Sequence, residues 1–169
     1  MNIVLNKLML EFSSTDHLLI NQADIDVTET FDTNRFIIYI KELFSGDITL
    51  SILISTESDL SYLPTVLLLE KEQILIVGLE SRLLFISVSD KRVKHIVNLD
   101  VALFFIYNCI ENNALLAVAE CAVFLYDYNG LLLHCLYTND IIISTQFQEA
   151  LLTIKTDSEE YIVDLLKWK

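Results

Sequence analysis

The sequence predicts an all-β protein of antiparallel, four-stranded, blade-like repeats of about forty residues. The first observation behind this is recurrence. Ile74-Leu75-Ile76-Val77-Gly78-Leu79-Glu80 is echoed by Ala114-Leu115-Leu116-Ala117-Val118-Ala119-Glu120, and more faintly by Ala150-Leu151-Leu152-Thr153-Ile154-Lys155-Thr156. Behind it a second string recurs: Leu84-Phe85-Ile86-Ser87-Val88, then Val123-Phe124-Leu125-Tyr126-Asp127, then Tyr161-Ile162-Val163-Asp164. Lys94-His95-Ile96-Val97 and Leu133-His134-Cys135-Leu136 form a third match. The second observation is that the apolar segments are short, rich in Ile, Val, Leu, Phe and Tyr, and bounded by polar turn residues, which is strand language. The third is burial on both faces: Leu83-Leu84-Phe85-Ile86 and Val101-Ala102-Leu103-Phe104-Phe105-Ile106-Tyr107 are apolar at consecutive positions. Parallel sheets also read this way but need long crossovers, for which the gaps are too short. A β-sandwich, the alternative architecture, leaves one face wet and shows cleaner alternation.

Taken in order, the predicted strands are Ile3–Phe12, Arg35–Leu43, Asp47–Ile54, Thr65–Leu69, Gln73–Leu79, Arg82–Ser89 and Lys94–Asn98, followed by Ala102–Asn108, Ala114–Ala119, Ala122–Tyr128, Leu131–Tyr137, Ile141–Phe147, Ala150–Lys155 and Tyr161–Leu165. Turns are marked by Ser45-Gly46-Asp47, Ser89-Asp90-Lys91, Asn112-Asn113 and Asn129-Gly130. Asn129-Gly130 is the most specific of these, because a two-residue hairpin turn needs positive φ at both central residues. Successive strands are therefore expected to be antiparallel neighbours. Ser13-Ser14-Thr15-Asp16 and Thr28–Asn34 read as loops, and residues 13–34 fit no repeat.

Residues 65 to 165 resemble consecutive blades of a WD-type β-propeller, although the Trp-Asp and Gly-His dipeptides of that family are absent. The resemblance implies a small or partial β-propeller, since 169 residues hold barely four such blades. The last copy stops near Leu165, after the second of its two repeated strings, so the N-terminal segment is expected to supply the missing strands, unless the stack stays open or a second chain closes a half-ring. The chain reads as a single all-β domain over 1–169, with a less regular N-terminal part, 1–64, and blade-like repeats over 65–169.

Composition narrows the function. Eleven Lys and Arg against 24 Asp and Glu give a formal charge of −13, which repels nucleic-acid backbones and anionic lipid and attracts a basic protein surface. Mean hydropathy is high at +0.48, yet no apolar run approaches the roughly 18 residues of a spanning helix. Lys7 lies inside the first apolar run and no small-residue cleavage site follows it, so the N-terminus reads as the first strand of a cytoplasmic protein. Cys109, Cys121 and Cys135 show no Cys-x-x-Cys spacing and read as buried, reduced thiols.

Catalytic signatures are missing. Three glycines, Gly46, Gly78 and Gly130, form no phosphate-binding loop, and no nucleophile elbow, zinc-helix motif or calcium loop occurs. No cofactor is expected. His95 and His134, as repeat mates, either converge on a ligand or each satisfy local groups. His17 lacks an assignable nucleophile. The densest acidic cluster is Asp24, Asp26, Glu29 and Asp32, with Asp24 and Asp26 on one face if the segment is extended. Interleaved with Ile25 and Val27, these acids suit an edge strand that pairs with another protein while resisting aggregation. Arg82, Lys91, Arg92 and Lys94 sit on one hairpin, solvated or receiving the chain's own acids. The reading is a non-enzymatic protein-binding module. In size, charge and lack of motifs the chain is similar to bacterial immunity proteins, acidic toxin inhibitors that occlude a basic partner. A scaffold subunit of a larger assembly is the alternative, and a hydrolase using Asp24, Asp26 or His17 ranks lower. A homo-oligomer is compatible with this reading.

Overall fold

The computed structural model describes residues 2–5, 8–14, 23–28, 34–42, 45–56, 64–109, 113–148 and 150–168. These residues form four sheets. The first holds β1 (Asn2–Leu5), β2 (Leu8–Ser14), β3 (Ile25–Val27), β4 (Asn34–Glu42) and β5 (Ile48–Thr56), in the order β1-β2-β4-β5-β3. β6 (Thr65–Leu69), β7 (Ile74–Leu79), β8 (Arg82–Ser87) and β9 (Arg92–Asn98) make the second sheet. The third is β10 (Leu103–Cys109), β11 (Ala114–Ala119), β12 (Ala122–Asp127) and β13 (Leu132–Tyr137), and the fourth is β14 (Ile142–Gln148), β15 (Leu151–Thr156) and β16 (Glu160–Asp164). The chain divides into two compact units, one of residues 1–63 with Ile86–Val93 and one of Pro64–Phe85 with Lys94–Lys169.

In the first unit, β4 and β5 pair antiparallel and bury Ile37, Ile38, Ile40, Leu50, Ile52, Leu53 and Ile54. Adjacent residues are buried, so both faces of this pair are covered, as its apolar run requires. Within the predicted strand Ile3–Phe12 the described residues form two strands, β1 and β2, that pair antiparallel with Leu5 opposite Leu8. β3 falls in the segment that fits no repeat and pairs parallel with β5, against the expectation of antiparallel neighbours: Ile25↔Ile52, Asp26↔Leu53, Val27↔Ile54. The Gly46 turn closes β4–β5, with Gly46 and Asp47 bonded back to Glu42 and Gly46 at φ +74°.

In the second unit the repeat is written into backbone hydrogen bonds. Leu103 N–H donates to Glu80 C=O at 2.6 Å, and one repeat later Ile142 N–H donates to Glu120 C=O at 2.7 Å. Leu99 to Ser81 and Thr138 to Cys121 form a second such pair. Side chains follow the same logic. Leu115, Ala117, Ala119, Ala122, Phe124 and Tyr126 of the third sheet pack in one core with Ile74, Ile76, Leu83 and Phe85 of the second. Ala114, Leu116, Val118, Val123 and Leu125, on the opposite face, pack with Leu152, Ile154 and Leu165. Alternate residues of one strand thus serve two cores, which explains the unbroken apolar runs.

Registration differs from the sequence reading by single residues, and a one-residue shift reverses every face. The string Ile74–Glu80 is the second strand of its sheet, not the first, so the last copy has three strands among the described residues. The N-terminal strands join the first sheet instead of completing the last. Phe85 and Phe124 are not equivalent: β8 spans 82–87 and β12 spans 122–127, so the mate of Phe85 is Leu125. The two phenylalanines point in opposite senses and meet in one core. The loop of the β12–β13 hairpin also corrects the two-residue turn. Asp127 N–H donates to Leu131 C=O at 2.9 Å and Gly130 N–H to Asp127 C=O at 3.1 Å. Three residues therefore form the loop, and only Gly130, at φ +87°, takes positive φ. This is a turn followed by a left-handed glycine.

Candidate partner-binding surfaces

The acidic cluster begins on β3, an edge strand by sheet order. Ile25 is buried, which turns Asp24 and Asp26 to the opposite side. Asp24 is anchored there: its Oδ2 accepts from Ser51 N–H at 2.9 Å and Ser51 Oγ at 3.0 Å, and its Oδ1 accepts from Lys91 Nζ at 2.9 Å. Burial opposes ionisation of this carboxyl, but the Lys91 and Ser51 hydrogen bonds and the Lys91 charge outweigh it and hold the pKa below the ordinary value. Lys91, one of the four hairpin cations, thus receives an acid of its own chain from a turn where it has φ +49°. Asp26 is exposed and accepts from Thr28 N–H and Oγ1. Glu29 and Asp32 lie outside the described residues, as does His17.

The second unit carries a groove of about 500 Å³, lined by His95–Asp100 on one side and by Phe124, Tyr126, Gly130, Leu132 and Tyr137 on the other. Burial, then the neighbouring Tyr137, Cys135 and Asp100, push the Tyr126 pKa up to about 12. Tyr137, raised by desolvation and by Asp100 beside it, also stays protonated. The groove therefore offers neutral phenols and aromatic faces, with one carboxylate at its rim. It can seat an apolar side chain.

His95 and His134 do not share a site. His95 faces Phe85, ring centroids 6.4 Å apart, and covers Gly130, whereas His134 stacks on Trp168 at 5.6 Å. Among the described residues no group of three or more His, Cys, Asp or Glu is arranged to hold a metal. Of the thiols only Cys109 is buried; Cys121 is half-buried and Cys135 exposed, because β13 is an outer strand with one covered face. Sequence reasoning missed two strand-end carboxylates. Asp127 accepts from Asn129 and Leu131 N–H, and Asp164 from Leu166 N–H, so each sets the turn leaving the third strand of its sheet. The recurring Asp at the end of the second string was the available signal.

No family model and no curated protein matches the sequence. Similarity appears in structure. The crystal structure of Saccharomyces cerevisiae Sqt1 superposes with a TM-score of 0.60 at 12% identity, over 90% of this chain and 45% of that one. A chain of the mitotic checkpoint complex superposes with a TM-score of 0.54 at 7% identity, over 73% of this chain and 41% of that one. Both neighbours are WD40-type propeller proteins, and this chain spans less than half the length of each. At these identities the likeness establishes the fold: a nearly all-β chain of propeller-like antiparallel sheets.

Proposed function

We propose that this protein is a non-enzymatic protein-binding module whose acidic surface engages a basic partner and occludes it. The observation that carries the reading is an exposed carboxylate, Asp26, on the outermost strand of its sheet among the described residues, in a chain of net charge −13. Asp24, Asp26, Glu29 and Asp32 are the proposed contact residues, with Asp24 serving mainly to anchor the strand. The coarser part is supported by the shared propeller-like fold, which one neighbour carries within a multiprotein complex. That neighbour, a component of the mitotic checkpoint complex, favours a second reading in which the chain is a scaffold subunit of a larger assembly.

The test is capture of the partner followed by association kinetics at two salt concentrations. A basic partner should associate several-fold more slowly at 0.3 M than at 0.03 M salt, because exposed charges are screened within about 10 Å at 0.1 M. Asp26→Lys should slow association and flatten that dependence. An acidic partner, or rates equal in the variant and at both salts, overturns the reading.

A further inference from the structure

The groove of the second unit opens where two neighbouring sheets part. Ile76, Leu83 and Phe85 of the second sheet close against Ala117, Phe124 and Tyr126 of the third, whereas β9 and β13, the last strands of these sheets, are mostly exposed. The space left beside them, about 500 Å³, is more than one large side chain needs.

Its lining is uneven in chemistry. On the β9 side Val97 and Leu99 are apolar and half-buried, and the turn that follows them carries the exposed Asp100. That turn is fixed in place: Leu99 N–H donates to Ser81 C=O and Leu103 N–H to Glu80 C=O, so both of its ends are tied to the β7–β8 turn. On the other side Phe124 and Tyr126 form a buried floor. Tyr137, 54% exposed, stands edge-on to Phe124 with ring centroids 5.8 Å apart at 88°. Asp100 lies beside the Tyr137 hydroxyl, and no Lys or Arg is among the lining residues. A phenol donates one hydrogen bond to a carboxylate that can accept about four. Negative charge and acceptor capacity therefore remain at the mouth, next to an exposed ring face.

These features select the occupant. An aliphatic side chain would cover Val97, Leu99 and Leu132 but would desolvate Asp100 without pairing it, which is costly. A lysine ammonium supplies the charge, yet it is a strongly hydrated point charge with no flat face. A guanidinium is planar and weakly hydrated, stacks on an aromatic face, and presents a fork of donors that matches a carboxylate. Its methylene stem covers apolar wall at the same time. A second copy of this chain is a poor source, because two chains of −13 repel.

We propose that this groove takes an arginine side chain of a basic partner protein, with the guanidinium between the Asp100 carboxylate and the Tyr137 ring and the stem along Val97, Leu99 and Leu132. The assignment rests on the protein-binding reading above and adds a contact within the second unit.

The full chain would be titrated with the peptide acetyl-Ser-Gly-Arg-Gly-Ser-amide and with counterparts bearing citrulline, lysine or leucine for arginine, while backbone amide shifts are followed by NMR. The arginine peptide should shift β9, β12 and β13 and bind at least about fivefold more tightly than the citrulline peptide, which keeps the shape without the charge. Asp100→Asn should bring the arginine peptide down to the citrulline level and leave citrulline binding unaltered. Tyr137→Leu should also weaken the arginine peptide, and both variants should keep the melting temperature within a few degrees. Binding of the citrulline, lysine or leucine peptide as tight as that of the arginine peptide overturns the proposal. So does an absence of shifts in these strands at millimolar arginine peptide, or self-association of the free chain that Asp100→Asn abolishes. If a captured basic partner binds Asp100→Asn as it binds the parent chain, the groove assignment fails while the protein-binding reading stands.

Discussion

At the scale of single residues, Gly130 bears two separate demands. Its φ of +87° disfavours any side chain, and a Cβ there would stand 2.5 Å from Cδ2 of His95. Gly46, at φ +74° with nothing within 4 Å of such a Cβ, carries the first demand alone. Gly46→Ala should therefore cost about 1 kcal/mol, the usual left-handed penalty, and Gly130→Ala distinctly more in chemical denaturation. Combining His95→Ala with Gly130→Ala should remove most of the excess, which a double-mutant cycle measures. Equal costs for the two glycines would refute the packing of His95 over this turn. Tyr126 supplies a pH prediction. Its native pKa of about 12 lies above the roughly 10 of an unfolded tyrosine. The native state therefore keeps a proton that the unfolded chain releases, and stability falls as pH rises from about 10 to about 12. Tyr126→Phe should flatten that decline relative to the parent chain, as read from denaturation midpoints across the alkaline range.

At the scale of elements, Phe85 and Phe124 report whether two sheets are in contact. Both are buried in the core between β7–β8 and β11–β12, so truncation of either to Ala should cost about 3–5 kcal/mol. Ile162→Ala, on the open face of the fourth sheet, should cost well under 1 kcal/mol. Denaturant titration of the three variants separates a stacked core from isolated sheets. The burial of these phenylalanines was legible in the sequence, because their flanks are apolar on both sides. Their inequivalence was not. Repeats of 40 and of 37 residues separate β11 from β7 and from β15, and apolar residues too alike to fix a register let the strings align one position off. The strands that open the last three sheets were predicted as strands, Thr65–Leu69, Ala102–Asn108 and Ile141–Phe147, but were not matched as repeat mates, because their sequences diverge more than those of the second strands. Turns were placed correctly wherever glycine marked them, but the side-chain bonds of Asp127 that lengthen the Gly130 loop depend on geometry that a dipeptide does not encode. On β3, the edge position of Asp24 and Asp26 followed from alternation of acid and aliphatic residues. The capture of Asp24 by Lys91 joins positions 67 apart in the chain, and no local pattern announces it.

At the scale of the whole molecule, screening separates charge that burdens the fold from charge that serves binding. A net −13 repels itself within the compact state. Opposing this are surface ion pairs such as Lys155–Glu160 and Lys167–Asp164, whose side chains are largely solvated and which contribute about 0–1 kcal/mol each at most. The self-repulsion should win, so raising salt from 0.02 to 0.3 M should increase the melting temperature. The same change should slow association with a basic partner. Asp26→Lys reduces the excess charge at the loss of only the exposed, local bonds from Thr28, and should leave stability nearly unchanged while weakening binding. Asp24→Lys reduces it by the same amount but removes the bonds to Ser51 and sets a second cation beside Lys91, so it should destabilise the first unit. Thermal melts of the two variants at both salts decide the matter: if they shift together, Asp24 is not an anchor and net charge alone governs stability, whereas a loss confined to Asp24→Lys assigns Asp24 to the fold and leaves Asp26 for the partner.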